Sequence, residues 1–203
     1  MKKLLTVIIP SFNRFKYLKN AIESVNQQGL KEIDIIVIND GSTEEKYYDK
    51  KFPKNVQKID LKINNKILNG FSSDAIRNIG IDLADTQYIA FLDDDDCWLE
   101  GKIETQIDFM KKNNYKISCT EGLIGSGIYD NKKKYKNYLN EYYFDVIAEK
   151  FKEAKFYKKK YFNRQFYFPK EFNFEFICVQ NCIATSSVVV ETEIIKKVGM
   201  FDK

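Results

Sequence analysis

Four contiguous aspartates, Asp93 to Asp96, close the segment FLDDDDCW directly behind an apolar run. Adjacent carboxylates repel by roughly a kcal/mol per close pair at the effective dielectric of a protein surface, so the cluster asks for a counter-charge. A divalent cation would supply it: oxygen-only ligands suit Mg²⁺ or Mn²⁺, which keep waters and take substrate phosphates as further ligands. An ion so placed would bridge a diphosphate and stabilise it as a leaving group. The plainer reading is a solvated turn in which Asp96 caps the following helix.

A second constellation joins Pro10-Ser11-Phe12-Asn13 with Asn39-Asp40-Gly41-Ser42. One loop offers an aromatic face and the other a carboxylate, which together suit a flat heterocycle held by stacking and hydrogen bonding. Uracil fits, because its N3–H is a donor for an acceptor such as Asp40. The alternative is that Gly41 and its polar neighbours only build a turn. Arg77-Asn78 forms a third candidate, since a guanidinium presents a planar fork to a diphosphate or to base carbonyls. Gly122, Gly125 and Gly127 fall in the order GxxGxG with no helical pattern behind them, which argues against a dinucleotide loop.

Composition narrows the chemistry. The 203 residues contain no histidine, which excludes Ser-His and Cys-His catalysis and histidine-ligated zinc. Cys97, Cys119, Cys178 and Cys182 show no CxxC spacing, so free thiols are expected rather than a zinc site or a disulfide framework. Net charge is +4, but residues 132 to 164 hold 11 Lys+Arg against 4 Asp+Glu, so the basicity is a local patch. Such a patch is either a solvated face or an attraction to anionic membrane or polyanion surfaces. No run reaches the roughly 20 apolar residues needed to span a bilayer, and the apolar stretch before Pro10 is too short for a secretory signal. A cytoplasmic protein is expected.

These groups need elements to position them. Leu4 to Pro10 and Ile33 to Asp40 are continuous β-branched runs of the kind buried on both faces of a sheet. Val56 to Leu61 and Tyr88 to Asp93 add two strands, and Ala184 to Val190 returns to strand character. Between them, Leu18, Ala21, Ile22 and Val25 recur at helical spacing, with Asn13 as N-cap and Gly29 as stop. Ser72 or Ser73 caps a second helix carrying Ala75, Ile76, Ile79 and Leu83, and Ile103, Ile107 and Met110 mark a third. Glu193 to Gly199 gives a short helix. Phe144, Ile147, Ala148, Phe151 and Ala154 share one face of an amphipathic helix whose other face carries Glu141, Asp145, Glu149 and Glu153. The alternation predicts a mostly parallel α/β sheet with helices on both faces, and ligands then sit beyond the carboxyl ends of the strands. The polar clusters fall at those ends.

In this order, VIIPSFNR, IIVINDGSTE, SSDAIRNIGIDLA, YIAFLDDDDCW and TSSVVVETEIIKKVGMFDK resemble the family 2 glycosyltransferases of the GT-A fold. The resemblance covers nearly the whole chain apart from residues 128 to 176. It implies a GT-A-like, Rossmann-type sheet and an inverting transferase that uses a nucleotide sugar, most often a UDP-sugar, with Mn²⁺ or Mg²⁺ at a DxD motif. On that basis Pro10, Phe12 and Asp40 match base-binding positions, with Ser11 and Asn13 beside them, and Arg77 matches a base or diphosphate contact. Asp93, Asp94 and Asp95 match the DxD segment: Asp95, with Asp93, as metal ligand and Asp94 as a ribose or sugar contact. Trp98 stands where an aromatic packs near sugar and acceptor.

The same resemblance divides the chain into a donor-binding part, 1–127, a variable basic and aromatic helical insertion on the acceptor side, 128–176, and a return to the sheet, 177–203. The family's general base is expected beyond the segment matching GMFDK, so the chain is expected to stop short of it at Lys203; Asp202 and Glu121 are weak substitutes. A saccharide or lipid-linked saccharide acceptor is expected, with peripheral contact to the inner face of an anionic membrane and no nucleic acid. Two other classes stay open: a noncatalytic module binding membrane or polyanion, and a sugar nucleotidyltransferase, although PSFNRFKY lacks the glycines of a triphosphate loop.

Overall fold

The computed structural model describes residues 3–70, 74–154, 162–163 and 165–202. Two compact units divide the chain, the first comprising 1–120 and 185–203 and the second 121–184.

The first unit is built on a six-stranded sheet. Its strands are β1 (Leu5–Ser11), β2 (Ile33–Asn39), β3 (Val56–Asp60), β4 (Tyr88–Phe91), β5 (Ile117–Ser118) and a late strand, Val189–Glu191, in the spatial order β3-β2-β1-β4-(Val189–Glu191)-β5. β1, β2, β3 and β4 are parallel, and Val189–Glu191 runs antiparallel to both of its neighbours. All seven residues of β1 are buried, the consequence of a strand lying at the centre of a sheet covered on both sides.

Period-two alternation sorts the strand side chains between two cores. Leu5, Val7, Ile9, Ile35 and Val37 pack with Leu18, Ala21, Ile22 and Val25 of α1 (Phe15–Asn26) and with Ile103, Ile107 and Met110 of a helix spanning Lys102–Asn113. On the opposite face Ile8, Ile89 and Phe91 pack with Ile81 and Ala84, and Ile36 and Ile38 with Ile76, all carried by or next to the helix Asp74–Leu83. The C-terminal helix Thr192–Val198 adds Ile195 to that face and ends at Gly199, whose φ of 100° is the left-handed stop expected there.

Three local expectations are corrected. Arg14, not Asn13, is the N-cap of α1; Asn13 has a φ of 51° and directs its side chain to another loop. Asp96 caps no helix, because the helix after it begins only at Lys102, behind Gly101. Thr185–Ser187 is a 3-10 turn rather than strand. The proposed caps Ser72 and Ser73 lie outside the described residues.

The second unit contains a hairpin of β6 (Leu123–Ile124) and β7 (Lys136–Asn137), the expected amphipathic helix at Phe144–Glu153, a hairpin pairing 162–163 with 165–166, and a helix at Phe174–Val179. Its core is aromatic: the Phe151 and Phe176 rings lie 4.5 Å apart, with Phe166, Ile147 and Cys182 buried around them. No disulfide joins the four cysteines. No helix among the described residues is long and apolar enough to cross a membrane.

Gly80 is where helix Asp74–Leu83 meets β1. A Cβ there would lie 2.7 Å from Ile8 Cγ2. Gly80→Ala is therefore expected to lower the unfolding free energy by about 1–3 kcal/mol through overpacking, although alanine is the better helix former by about 1 kcal/mol. Urea denaturation measures this, and a stabilised variant would contradict the close packing.

Candidate functional site

A cleft of about 840 Å³ opens at the carboxyl ends of β1, β2 and β4, lined by Pro10, Ser11, Phe12, Arg14, Asp40, Asn64, Lys66, Gly70, Ile76, Arg77, Asp93, Asp94 and Asp95. Parallel strands in register deliver the two loops side by side: Ser11 pairs with Asn39 across the sheet, and the Asp40 N–H donates to the Ser11 carbonyl at 2.9 Å. Phe12 shows 39% of its surface and so presents an open ring to the cleft.

Asp40 is buried at the cleft wall. Its Oδ1 accepts from the Asn65 N–H at 2.7 Å and its Oδ2 from Asn64 Nδ2 at 2.8 Å. Burial raises its pKa, and the Asn65 hydrogen bond works against that rise. Gly41 makes this approach possible: with φ at 71°, a Cβ would lie 2.6 Å from the Asn64 nitrogen. The glycine thus builds a turn and also lets the Ile63–Asn64 backbone come close enough for Asn64 to reach Asp40.

The acidic turn carries the densest network. Asp94 is almost fully buried; its Oδ2 accepts from Ser11 Oγ at 2.7 Å, and Ser11 in turn bonds the buried Tyr47 hydroxyl. Arg14 Nη1 donates to Asp95 Oδ2 at 2.6 Å and to Asp94 Oδ1 at 3.3 Å. Burial raises the Asp94 pKa, opposed by the Ser11 hydrogen bond and the Arg14 charge and reinforced by Asp95. Burial lowers the Arg14 pKa, but Asp94 and Asp95 outweigh it and the net shift is upward. Arg77, itself buried, pairs with Asp93 Oδ1. Ser186 closes the turn from the other side, its Oγ accepting from the Asp93 N–H at 2.9 Å and donating to Asp96 Oδ2 at 2.6 Å. The antiparallel Val189–Glu191 strand puts Ser186 there, because its entry lies beside the exit of β4.

Eight of the ten residues singled out from sequence therefore meet in one cleft. Asn13 and Trp98 do not line it. Asn13 Oδ1 accepts from the Thr43 and Glu44 N–H groups at 2.8 and 3.1 Å, which ties the two loops together from behind. Trp98 is a core residue: its indole N–H donates to the Ser186 carbonyl at 2.8 Å, and Lys102 Nζ sits 4.3 Å from its ring centre. Asn78 serves the fold, exchanging two hydrogen bonds with the Phe201 backbone. Glu121 is committed to the second unit, where it accepts from the Leu139 N–H and the Asn140 side chain.

Sequence reasoning missed Arg14, Asn64, Lys66 and Tyr47. Arg14 was findable, since the acidic run demanded a cation and an arginine follows the neighbouring strand; the other three belong to the short helices Lys46–Asp49 and Asn65–Asn69 or cap one, and elements of four or five residues carry no periodic signal.

The donor set fits a hard divalent ion. Asp93 and Asp95 offer only oxygens, and their side chains are 37% and 48% exposed. Among the described residues no group of three His, Cys, Asp or Glu is placed to hold a metal ion by itself. Mg²⁺ and Mn²⁺ are commonly bound through one or two carboxylates with phosphate and water completing the shell, and Asp93 and Asp95 match that donor chemistry.

Comparison with known proteins agrees with the fold. Residues 6–178 match the family described as Glycosyl transferase family 2. An uncharacterized glycosyltransferase of Rickettsia bellii is 42% identical over 115 residues, 57% of this chain and 16% of that protein. The GalNAc(5)-diNAcBac-PP-undecaprenol beta-1,3-glucosyltransferase of Campylobacter jejuni is 36% identical over 112 residues, 54% of this chain and 34% of that one. Among solved structures, Staphylococcus aureus TarS 1–349 in complex with UDP-GlcNAc superposes with a TM-score of 0.58 at 17% identity, covering 98% of this chain and 48% of that one. The mannosyltransferase PcManGT from Pyrobaculum calidifontis, in complex with GDP-Man and Mn²⁺, gives 0.60 at 11% identity, covering 100% and 48%. The chain thus spans well under half the length of these curated relatives.

Asp94 gives the site a pH signature. Its raised folded-state pKa means that the native state holds the proton more tightly than the unfolded chain, so its contribution to stability is lost as pH rises from about 3.9 through the folded value. Asp94→Asn removes that loss. Denaturation series from pH 4 to 7 are expected to show the stability of the variant rising relative to that of the wild type as pH rises, and a variant that loses ground to the wild type over that range would contradict the burial assigned to Asp94. With its sheet, its paired loops and its match along most of the sequence, the chain belongs to glycosyl transferase family 2.

Proposed function

We propose that the cleft binds a nucleotide-sugar donor, a UDP-sugar in the first instance, and that the protein transfers the sugar to a glycan or lipid-linked acceptor with inversion. The observation that carries this reading is the convergence of an exposed aromatic ring, a buried carboxylate, two arginines and the aspartate turn around one cleft at the strand ends. UDP-GlcNAc and GDP-Man in the two structural neighbours, and the undecaprenol-linked substrate named for the Campylobacter relative, support the substrate class.

Each lining group has a task in this reading. Phe12 stacks on the base, and Asp40, oriented by Asn64 and Asn65, accepts the base N–H. Arg77 is held by Asp93 with its guanidinium at the cleft wall, where it complements a diphosphate. Asp94, held by Ser11, which Tyr47 braces in turn, and by Arg14, contacts ribose or sugar hydroxyls. Asp95 and Asp93 would hold Mn²⁺ or Mg²⁺, which when bound supplies Lewis-acid stabilisation of the departing diphosphate. Inversion follows from a single displacement: the acceptor oxygen bonds the anomeric carbon as the bond to the diphosphate breaks, and a carboxylate takes the hydroxyl proton. None of the cleft carboxylates is assigned that last role.

Calorimetric titration of UDP in the presence of Mn²⁺ tests the reading. Wild-type protein is expected to bind in a metal-dependent manner and Asp95→Ala not to bind; metal-independent binding, or none by the wild type, would contradict it. Arg14 sharpens the test, because its guanidinium already neutralises Asp95. Arg14→Gln is expected to strengthen binding of Mn²⁺ alone by about two- to fivefold, the equivalent of one part-exposed ion pair, and weakened binding would show that Arg14 does not compete with the ion.

A further inference from the structure

The glycine series that cannot be a dinucleotide loop has another use in the second unit. Gly125 lies against the edge of the Tyr135 ring: a Cβ there would sit 2.4 Å from its Cδ1 and Cε1. Tyr129 stacks on the face of the same ring, with ring centres 5.3 Å apart and planes 27° from parallel. The Tyr135 hydroxyl accepts the Asp130 N–H at 2.9 Å, and Asp130 closes the turn through the Lys133 and Lys132 N–H groups, at 2.9 and 3.0 Å. The connection between β6 and β7 is therefore braced from within, so a partner binding it orders little further chain.

That braced tip carries Lys132, Lys133, Lys134 and, at its base, Lys136, all exposed. None of the four forms an ion pair among the described residues. Nearby carboxylates are occupied by backbone: Asp130 by Lys132, Glu141 by Asn137, and Glu121 by Gly122 and Leu139. Beside the lysines, Ile128 and Tyr129 are 37% and 39% exposed. A soluble phosphate polymer has no use for an exposed isoleucine, whereas a bilayer interface takes an aliphatic side chain, an amphipathic ring and lysine headgroups together. We propose that the β6–β7 hairpin docks on an anionic lipid bilayer through Lys132, Lys133 and Lys134, with Ile128 and Tyr129 entering the headgroup region. The assignment is independent of what the cleft in the first unit binds.

Sedimentation of the full chain with phosphatidylserine/phosphatidylcholine vesicles tests it, against vesicles of phosphatidylcholine alone. The variant K132Q/K133Q/K134Q is compared with K50Q/K51Q/K54Q, which removes three exposed lysines from the first unit. Each lysine near such a surface contributes about fivefold to partitioning, so the hairpin variant is expected to lose on the order of a hundredfold. The control variant is expected to stay close to the wild type. Equal losses in both variants, or no wild-type binding to anionic vesicles, would overturn the proposal. So would release from the vesicles by soluble polyphosphate at matched phosphate concentration, which would assign the hairpin to a free phosphate polymer.

Discussion

Three carboxylates held together at the end of a buried strand constitute the strongest electrostatic demand in the first unit, and the surrounding structure is organised to meet it. Arg14 reaches Asp94 and Asp95 from the β1 loop, Arg77 reaches Asp93 from a helix on the far face, and Ser186 fixes the turn from an antiparallel strand. Each comes from a different part of the chain, so the turn acquires its shape only when the sheet is complete. Removing Asp93 would withdraw a charged partner from the buried Arg77 guanidinium, whereas Asp93 itself keeps contact with solvent. The same arrangement leaves Asp93 and Asp95 partly open to the cleft.

Sheet topology explains why these groups meet. Parallel β1, β2 and β4 all end on one edge, and backbone pairing of Asp40 with Ser11 locks the first two loops together. Asn13 and Glu44 strengthen the join from behind, the Glu44 carboxylate accepting the Phe15 N–H at 3.1 Å. Reversing direction in the Val189–Glu191 strand then brings a late segment to the site without another crossover. A cleft assembled in this way is rigid where charge must be placed and open where a flat ring enters.

Much of this was legible in the sequence because both faces of the central strands are covered. A strand buried on two sides is apolar at nearly every position, so Leu5 to Ile9, interrupted only by Thr6, and Ile35 to Ile38 stand out in the sequence. Helix stripes were equally plain in α1 and in Phe144–Glu153, where one face alone meets a core. Residues whose place depends on contacts between distant segments were not legible. Asn13 has the chemistry of an N-cap but serves a neighbouring loop, and Trp98 has the chemistry of a sugar platform but fills the core under Ser186. Arg14 was hidden for a different reason: the acidic run was matched to a metal ion, and the protein holds a counter-charge of its own.

The proposed donor site requires the Asp93–Asp95 turn to grip a cation that in turn holds a pyrophosphate. Anomalous diffraction from a crystal soaked with UDP and Mn²⁺ examines this directly. A single manganese peak is expected within coordinating distance of Asp95 and Asp93 oxygens, with nucleotide phosphates as its other ligands and the base against Phe12 and Asp40. A manganese peak elsewhere, or nucleotide bound away from that turn, would contradict it.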